Sequence, residues 1–219
     1  MRAPVTVITA TIPGREVLLM ECLESVYRQT VEVEAHLVLA QSCTEGLPSP
    51  VHCAKMQNAL LASVGTEWTM RLADDDLLLP DHIATLLPFL SQRRPTSPGC
   101  YNNAYDVIYS WDASHSRPNW NSNVLSQEQL VAALGQTSWI DGSAVAIRTD
   151  WLSNVNGWPE EYVGRPPFDG HFAGFPSTVT CEDHACFLAL ARAGARFLCV
   201  PEETWVYRAG GWDRISMEA

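Results

Sequence analysis

The order of apolar segments in the first 73 residues constrains this chain more than any other feature. Residues 5–10 (VTVITA) form a β-branched apolar run, and 16–29 carry apolar side chains at helical spacing. Residues 35–40 (AHLVLA) are apolar again, 53–63 read as a helix and 67–73 (EWTMRLA) as a third strand. Strand, helix, strand, helix, strand predicts an α/β chain with a parallel sheet and crossover helices. Ligands of such sheets bind beyond the carboxyl ends of the strands, which singles out the loops 11–15, 41–46 and 74–79.

Pro80 then opens a helix that runs to about residue 93. Residues 95–123 change character: they hold Trp111, Trp120 and asparagines at 102, 103, 119, 121 and 123, with few aliphatic runs. Residues 126–134 read as helix and 139–147 (WIDGSAVAI) as strand, while 163–180 are rich in Gly, Pro and Phe and read as a long loop or lid. A helix over 182–193 ends at Gly194, a suitable C-cap, and a strand over 196–200 precedes Pro201.

With 47% hydrophobic residues, the 219 residues can bury one globular core. Asp and Glu outnumber Lys and Arg 25 to 14, for a net charge of −11. That charge argues against general nucleic-acid binding and against adhesion to anionic lipid. No run approaches the roughly 18 apolar residues of a transmembrane helix, and the N-terminal segment reads as a first strand rather than a secretion signal. The seven cysteines are odd in number and show no CxxC pair. They are expected to be reduced thiols in a cytoplasmic protein, not zinc ligands.

The densest chemistry is Asp74-Asp75-Asp76, directly after the third strand. Adjacent carboxylates repel one another and resist desolvation, and a divalent cation relieves both costs, since hard oxygen ligands suit Mn²⁺ or Mg²⁺. A solvated acidic turn ahead of the Pro80 helix explains the same residues. Glu182-Asp183 stands at a helix start, where helix capping and a catalytic carboxylate are both open readings.

Taken together these segments resemble the family 2 glycosyltransferases, which have a GT-A fold. VTVITATIPGREVLLMECLESVYRQT is similar to their first strand, nucleotide loop and first helix. Asn58 through Leu72 followed by DDDLLLPDHI resembles their Asn-bearing helix and metal-binding DXD region. Asn156-Gly157-Trp158-Pro159-Glu160-Glu161 resembles their Gly-Gly-Phe-Asp-Glu turn, and EDHACFLALARAGARFLCVPEETWVYR their Glu-Asp helix through the Tyr-Arg end.

The resemblance implies a Rossmann-like, mostly parallel sheet with a smaller acceptor-side sheet. It implies one domain, with a nucleotide-sugar half over 1–94 and an acceptor half over 95–219. The implied activity is inverting transfer of a sugar from a nucleoside-diphosphate donor, with a UDP-sugar favoured, to a glycan, protein or small-molecule hydroxyl. Asp75 would bind Mn²⁺ or Mg²⁺, with Asp74 sharing the metal or the ribose and Asp76 supporting the site. Thr11, Pro13 and Arg15 would border the nucleotide, joined by Gln41 and Asn58, and Arg208 would approach the diphosphate. Asp183 would be the general base, oriented by Glu182, with Asp141 and Trp158 on the acceptor side.

Three positions depart from the family pattern. Ala73 replaces the first Asp of the DXD, Gln41-Ser42-Cys43-Thr44 replaces an acidic pair, and no His follows Tyr207-Arg208, where Asp213 or water could substitute. Those departures keep a second reading open, a non-catalytic GT-A-like protein that binds nucleotide through the same cleft. A nucleotidyltransferase ranks last, because the 11–15 loop is too thin in Gly and basic residues. Among minor candidates, Lys55, the only lysine, reads as a surface residue, His171 as solvated and His184 as a helix-surface residue. Of Trp111, Trp120, Trp139, Trp158 and Trp212, core packing accounts for most.

Overall fold

The computed structural model describes residues 2–42, 49–91, 104–113, 122–163 and 170–208. Trp120, Trp212, Asp213, Cys43, Thr44, Cys100, the asparagines 102, 103, 119 and 121, and positions 164–169 of the expected lid lie outside them.

The first half folds as its apolar pattern dictates. Strands β1 (Ala3–Thr11), β2 (Val33–Ala40) and β3 (Trp68–Arg71) alternate with helices α1 (Glu16–Tyr27) and α2 (Ser49–Leu61). β1 lies between β2 and β3 and pairs with both in parallel, with Val7 opposite His36 on one side and Met70 on the other. Next come β4 (Leu77–Leu78) and α3 (His82–Leu90), which starts two residues past Pro80 rather than at it.

Later elements are β5 (Val107–Asp112), α4 (Gln127–Leu134), β6 (Val145–Arg148), α5 (Thr149–Asn154), β7 (Tyr162–Val163), β8 (His171–Phe172), α6 (Glu182–Arg192) and β9 (Phe197–Val206). The described strands form a seven-stranded sheet in the order β2-β1-β3-β6-β5-β9-β4, together with a two-stranded β7-β8 ribbon. β6 runs antiparallel to both β3 and β5, β9 runs parallel to β5, and β4 is antiparallel to β9. Strands from both sides of residue 94 therefore share one mostly parallel sheet.

Apolar residues alternate between its faces. Val5, Val7, Met70 and Ile108 pack with Cys22 and Val26 of α1 and with Ile83 and Leu86 of α3. Ile8, Val107 and Tyr109 pack with Leu60 of α2, Leu130 and Leu134 of α4, and Phe187 of α6.

Four sequence expectations are corrected. Residues 95–123 contain a strand, β5, whose VIYSWD sequence is buried throughout despite its polar members. The strand expected over 139–147 begins only at Val145, because 142–144 form bends and Ala144 takes φ 59°. The last strand continues to Val206 through Pro201, which sits where β9 bulges away from β5: Ser110 faces Val200 but Trp111 faces Glu203. His184 is buried rather than on the surface, and its imidazole bonds the Leu134 carbonyl, tying α6 to α4.

The end of α6 follows expectation. Gly194, at φ 92°, bonds Ala191, and the Ala195 N–H reaches back to Leu190, closing a Schellman turn.

Candidate active site

The acidic loop leaves the carboxyl end of β3 tied on both sides. The Leu72 N–H donates to the Ile8 carbonyl, and the Ala73 N–H donates to the Ser143 hydroxyl at 2.9 Å. Asp74 accepts from the Thr11 hydroxyl at 2.6 Å and from Arg15 through both oxygens at 2.8 Å. The same guanidinium donates to Asp75 Oδ2 at 2.7 Å. All four residues of this knot are buried, with Arg15 7% exposed and Thr11, Asp74 and Asp75 each 5%. Burial by itself would lower the Arg15 pKa, but the hydrogen bonds and charges of Asp74 and Asp75 raise it, so Arg15 stays a cation. Asp76 is pushed up to about 7, chiefly by burial and then by the charge of Asp75, against the opposing bonds of Ser143 and the Arg208 N–H.

The second acidic pair opens α6. Glu182 is fully buried and Asp183 is 5% exposed. Facing them from β3 is Arg71, with Nη1 2.8 Å from Asp183 Oδ2 and Nη2 3.6 Å from Glu182 Oε1. One guanidinium against two buried carboxylates leaves an excess negative charge, and both carboxyls are raised, by burial first and, for Glu182, by the charge of Asp183. Arg71 and the nearby Trp158 indole pull Asp183 back down. Asp183 Oδ1 is buried with no hydrogen-bond partner in the protein. Gly142 is required here, since a Cβ on it would lie 1.8 Å from Asp183 Oδ2 and 2.5 Å from Arg71 Nη1.

A cavity of about 220 Å³ is lined by Ala73 and Asp76 of the acidic loop and, among others, by Arg71, Asp141 and Asp183; Asp74, Asp75 and Glu182 are not in its walls. A larger hollow of about 420 Å³ between α1 and the start of β2 holds Arg2, Glu32 and His36 but neither acidic pair.

The remaining expected residues fall in different places. Pro13 and Gln41 are exposed at the ends of β1 and β2, where the Gln41 N–H bonds the Thr11 carbonyl. Asn58 is spent on the 156–160 turn: its amide donates to the Trp158 carbonyl at 2.8 Å and to Glu160 at 2.7 Å, and it accepts from the Trp158 N–H at 2.8 Å. Trp158 is 2% exposed, so its ring offers no open face for a sugar. Arg208 bonds the Asp75 and Leu18 carbonyls and pairs with Glu21 on α1, while its N–H donates to Asp76 at 3.1 Å. Asp141 is exposed, as is Lys55.

Arg71, Gly142 and Ser143 were not singled out by the sequence. The available signal was Arg71 itself, a lone cation at the end of a buried strand (Trp68-Thr69-Met70-Arg71), which demands an acidic partner somewhere in the fold.

No protein-family model matches the sequence, and no curated protein matches it. Solved structures do match the fold. Staphylococcus aureus TarS (residues 1–349) superposes with a TM-score of 0.62 at 14% identity, covering 94% of this chain and 60% of that one. The mannosyltransferase PcManGT of Pyrobaculum calidifontis, solved with GDP-Man and Mn²⁺, gives 0.58 at 14% identity, covering 98% of this chain and 60% of its own. The catalytic domain of Drosophila β1,4-galactosyltransferase 7, solved with xylobiose, gives 0.55 at 12% identity, covering 96% of this chain and 73% of its own.

The fold is that of the GT-A glycosyltransferases.

This GT-A chain spans about 60% of the length of the first two of these structures. Its acidic loop also bears on whether a divalent ion fits. Among the described residues no group of three His, Cys, Asp or Glu converges as a ready-made cation cage. Arg15 takes both oxygens of Asp74 but only Oδ2 of Asp75. The hard oxygen Oδ1 of Asp75 suits Mg²⁺ or Mn²⁺, which commonly use one or two carboxylates and complete their shell with substrate phosphates. The donor set fits on those terms. Among the described residues no helix is long and apolar enough to cross a membrane.

Proposed function

We propose that this chain is a nucleotide-sugar-dependent glycosyltransferase of the family 2 kind, acting by inversion on an acceptor hydroxyl with Asp183 as general base. The observation that carries the reading is a cavity lined by both Asp76 of the acidic loop and Asp183 of the α6 start, in a GT-A fold. A nucleoside-diphosphate sugar, most simply a UDP-sugar, would place its diphosphate beside Asp75 and its sugar in the cavity. The acceptor is a glycan, protein or small molecule.

The chain's own residues divide the work. Asp183 lines the cavity with its Oδ2 held by Arg71, and its carboxylate would accept the proton of an acceptor hydroxyl brought to about 2.6–3.2 Å. Glu182, behind it and without a hydrogen bond of its own, keeps a second carboxyl close and raises the affinity of the pair for that proton. Thr11 and Arg15 hold Asp74 and Asp75 in place at the strand ends. A divalent ion held by Asp75, and by Asp76 where it is ionised, would supply Lewis-acid stabilisation to the leaving diphosphate.

Thermal shift with UDP-, GDP- and TDP-sugars, with and without Mn²⁺, tests the reading. A donor that binds raises the melting temperature by mass action, and the donor found is then assayed for turnover with the parent and with Asp183→Asn. Turnover in the parent and its loss in Asp183→Asn, with donor binding kept, is the expected result. Donor binding with no turnover would instead favour the non-catalytic reading, which the engagement of the acidic carboxylates by Arg15 also supports.

A further inference from the structure

We propose that Arg15 is a built-in cation for the acidic loop: it offsets part of the charge of Asp74 and Asp75 in the nucleotide-free protein, so that a divalent ion gains a firm hold only when donor phosphates arrive with it. The second half of this statement rests on the proposed donor; the first does not.

The geometry is that of an ion-paired cluster, one guanidinium between two carboxylates, rather than an open metal cradle. One guanidinium reaches both oxygens of Asp74 and one of Asp75 at 2.7–2.8 Å, and the Thr11 hydroxyl adds a bond to Asp74 at 2.6 Å. Planar, always-charged arginine suits such bidentate pairing, and every partner is more than nine-tenths buried. Removing one partner of a buried ion pair strands the other's charge, so the loop depends on Arg15 for its fold. The position is set by local structure: Gly14 takes φ 91°, and Arg15 stands as the residue before the first turn of α1, aimed across the ends of β1 and β3.

A divalent ion approaching Asp75 Oδ1 meets this guanidinium on the same carboxylate, and like charges oppose its binding. A diphosphate supplies the missing negative charge. Ion and nucleotide then favour one another, and the linkage is reciprocal.

The test uses the full chain without a sugar donor. The parent is expected to melt at the same temperature in a chelator and in excess Mn²⁺, and to bind Mn²⁺ at least tenfold more tightly when UDP is present, read from the Mn²⁺ paramagnetic resonance signal. Arg15→Gln is expected to melt several degrees lower than the parent in chelator and to recover much of that loss in Mn²⁺. A parent stabilised by Mn²⁺ alone as strongly as the variant, or a variant with the parental melting temperature in chelator, overturns the proposal. Should Arg15→Gln not fold, the double variant Arg15→Gln/Asp74→Asn, which removes one charge of each sign, is expected to fold. A double variant as damaged as the single one would mean that Arg15 supplies packing rather than charge, and would likewise sink the idea. Failure to bind any nucleoside diphosphate counts against the transferase reading and leaves the chelator comparison standing.

Discussion

Gly142 lies so close to Asp183 that a Cβ built on it would stand 1.8 Å from Oδ2, the oxygen that Arg71 holds at 2.8 Å. The 141–144 turn is thus one wall of the base's socket. Gly142→Ala must push the carboxylate, the guanidinium or the turn aside. A displacement near 1 Å costs on the order of 100-fold in turnover. Turnover is expected to fall by that much while nucleotide affinity, set at the acidic loop, stays unchanged; parallel kinetics and calorimetry check both.

Arg71 faces two buried carboxylates, and its loss leaves both uncompensated. Arg71→Met is expected to cost about 3–5 kcal/mol of stability, the range for breaking a buried ion pair. Adding Glu182→Gln to that variant removes one stranded charge and is expected to restore part of the loss. Denaturant melts of the parent, single and double variants measure it, and strictly additive effects would count against the pairing.

Two buried groups set opposite limits on stability against pH. Burial, joined by the charge of Asp183, raises Glu182 above its ordinary 4.5, so the folded state binds its proton more strongly and stability falls as pH rises above that value. His82 is fully buried, which lowers its pKa from 6.5 to about 3, so the unfolded state binds the extra proton and stability falls as pH drops below 6.5. The melting temperature is expected to peak between 4.5 and 6.5. Glu182→Gln should make the alkaline limb shallower, the raised Asp76 and Asp183 supplying the remainder, and a variant whose alkaline limb matches the parent's would refute this assignment.

Asn58 makes three hydrogen bonds to the 156–160 turn, whose Trp158 stands beside Asp183. Asn58→Ala is expected to lower stability by about 1–3 kcal/mol, the cost of unpairing buried polar groups, and to reduce turnover through Trp158. Nucleotide affinity should not change. A selective loss of nucleotide affinity, with melting temperature kept, would return Asn58 to the nucleotide side.

The sheet was legible wherever one physical signal dominated. VTVITA and AHLVLA read as strands from their β-branched and aliphatic runs, and Gly194 read as the cap that follows a helix end. β5 was hidden because VIYSWD mixes Ser and Asp into a strand whose polar members find partners inside the fold: the Ser110 hydroxyl meets that of Thr204 at 2.5 Å. The extension of β9 was hidden by Pro201, a stop signal that a bulge makes harmless. Both acidic clusters were visible as residues, but their counter-cations were not. Arg15 was read as a nucleotide contact, and Arg71 is 112 positions from Asp183, a separation that no local pattern spans. Charge pairing at that range is a property of the fold, not of any window of sequence.

The acidic loop also joins strands that are not neighbours. It leaves β3 at Arg71 and enters β4 at Leu77, yet β6, β5 and β9 lie between those strands. Four strand spacings on a flat sheet come to roughly 19 Å, and so short a link reaches only about 20 Å when fully drawn out. The link is not drawn out, because the Asp76 N–H bonds the Ala73 carbonyl in a turn, so its real span is shorter still and the sheet must curl to bring β4 within its reach. An extra residue in so short a crossing would unmake that turn, and the aspartates would lose the aim that their anchorage now gives them.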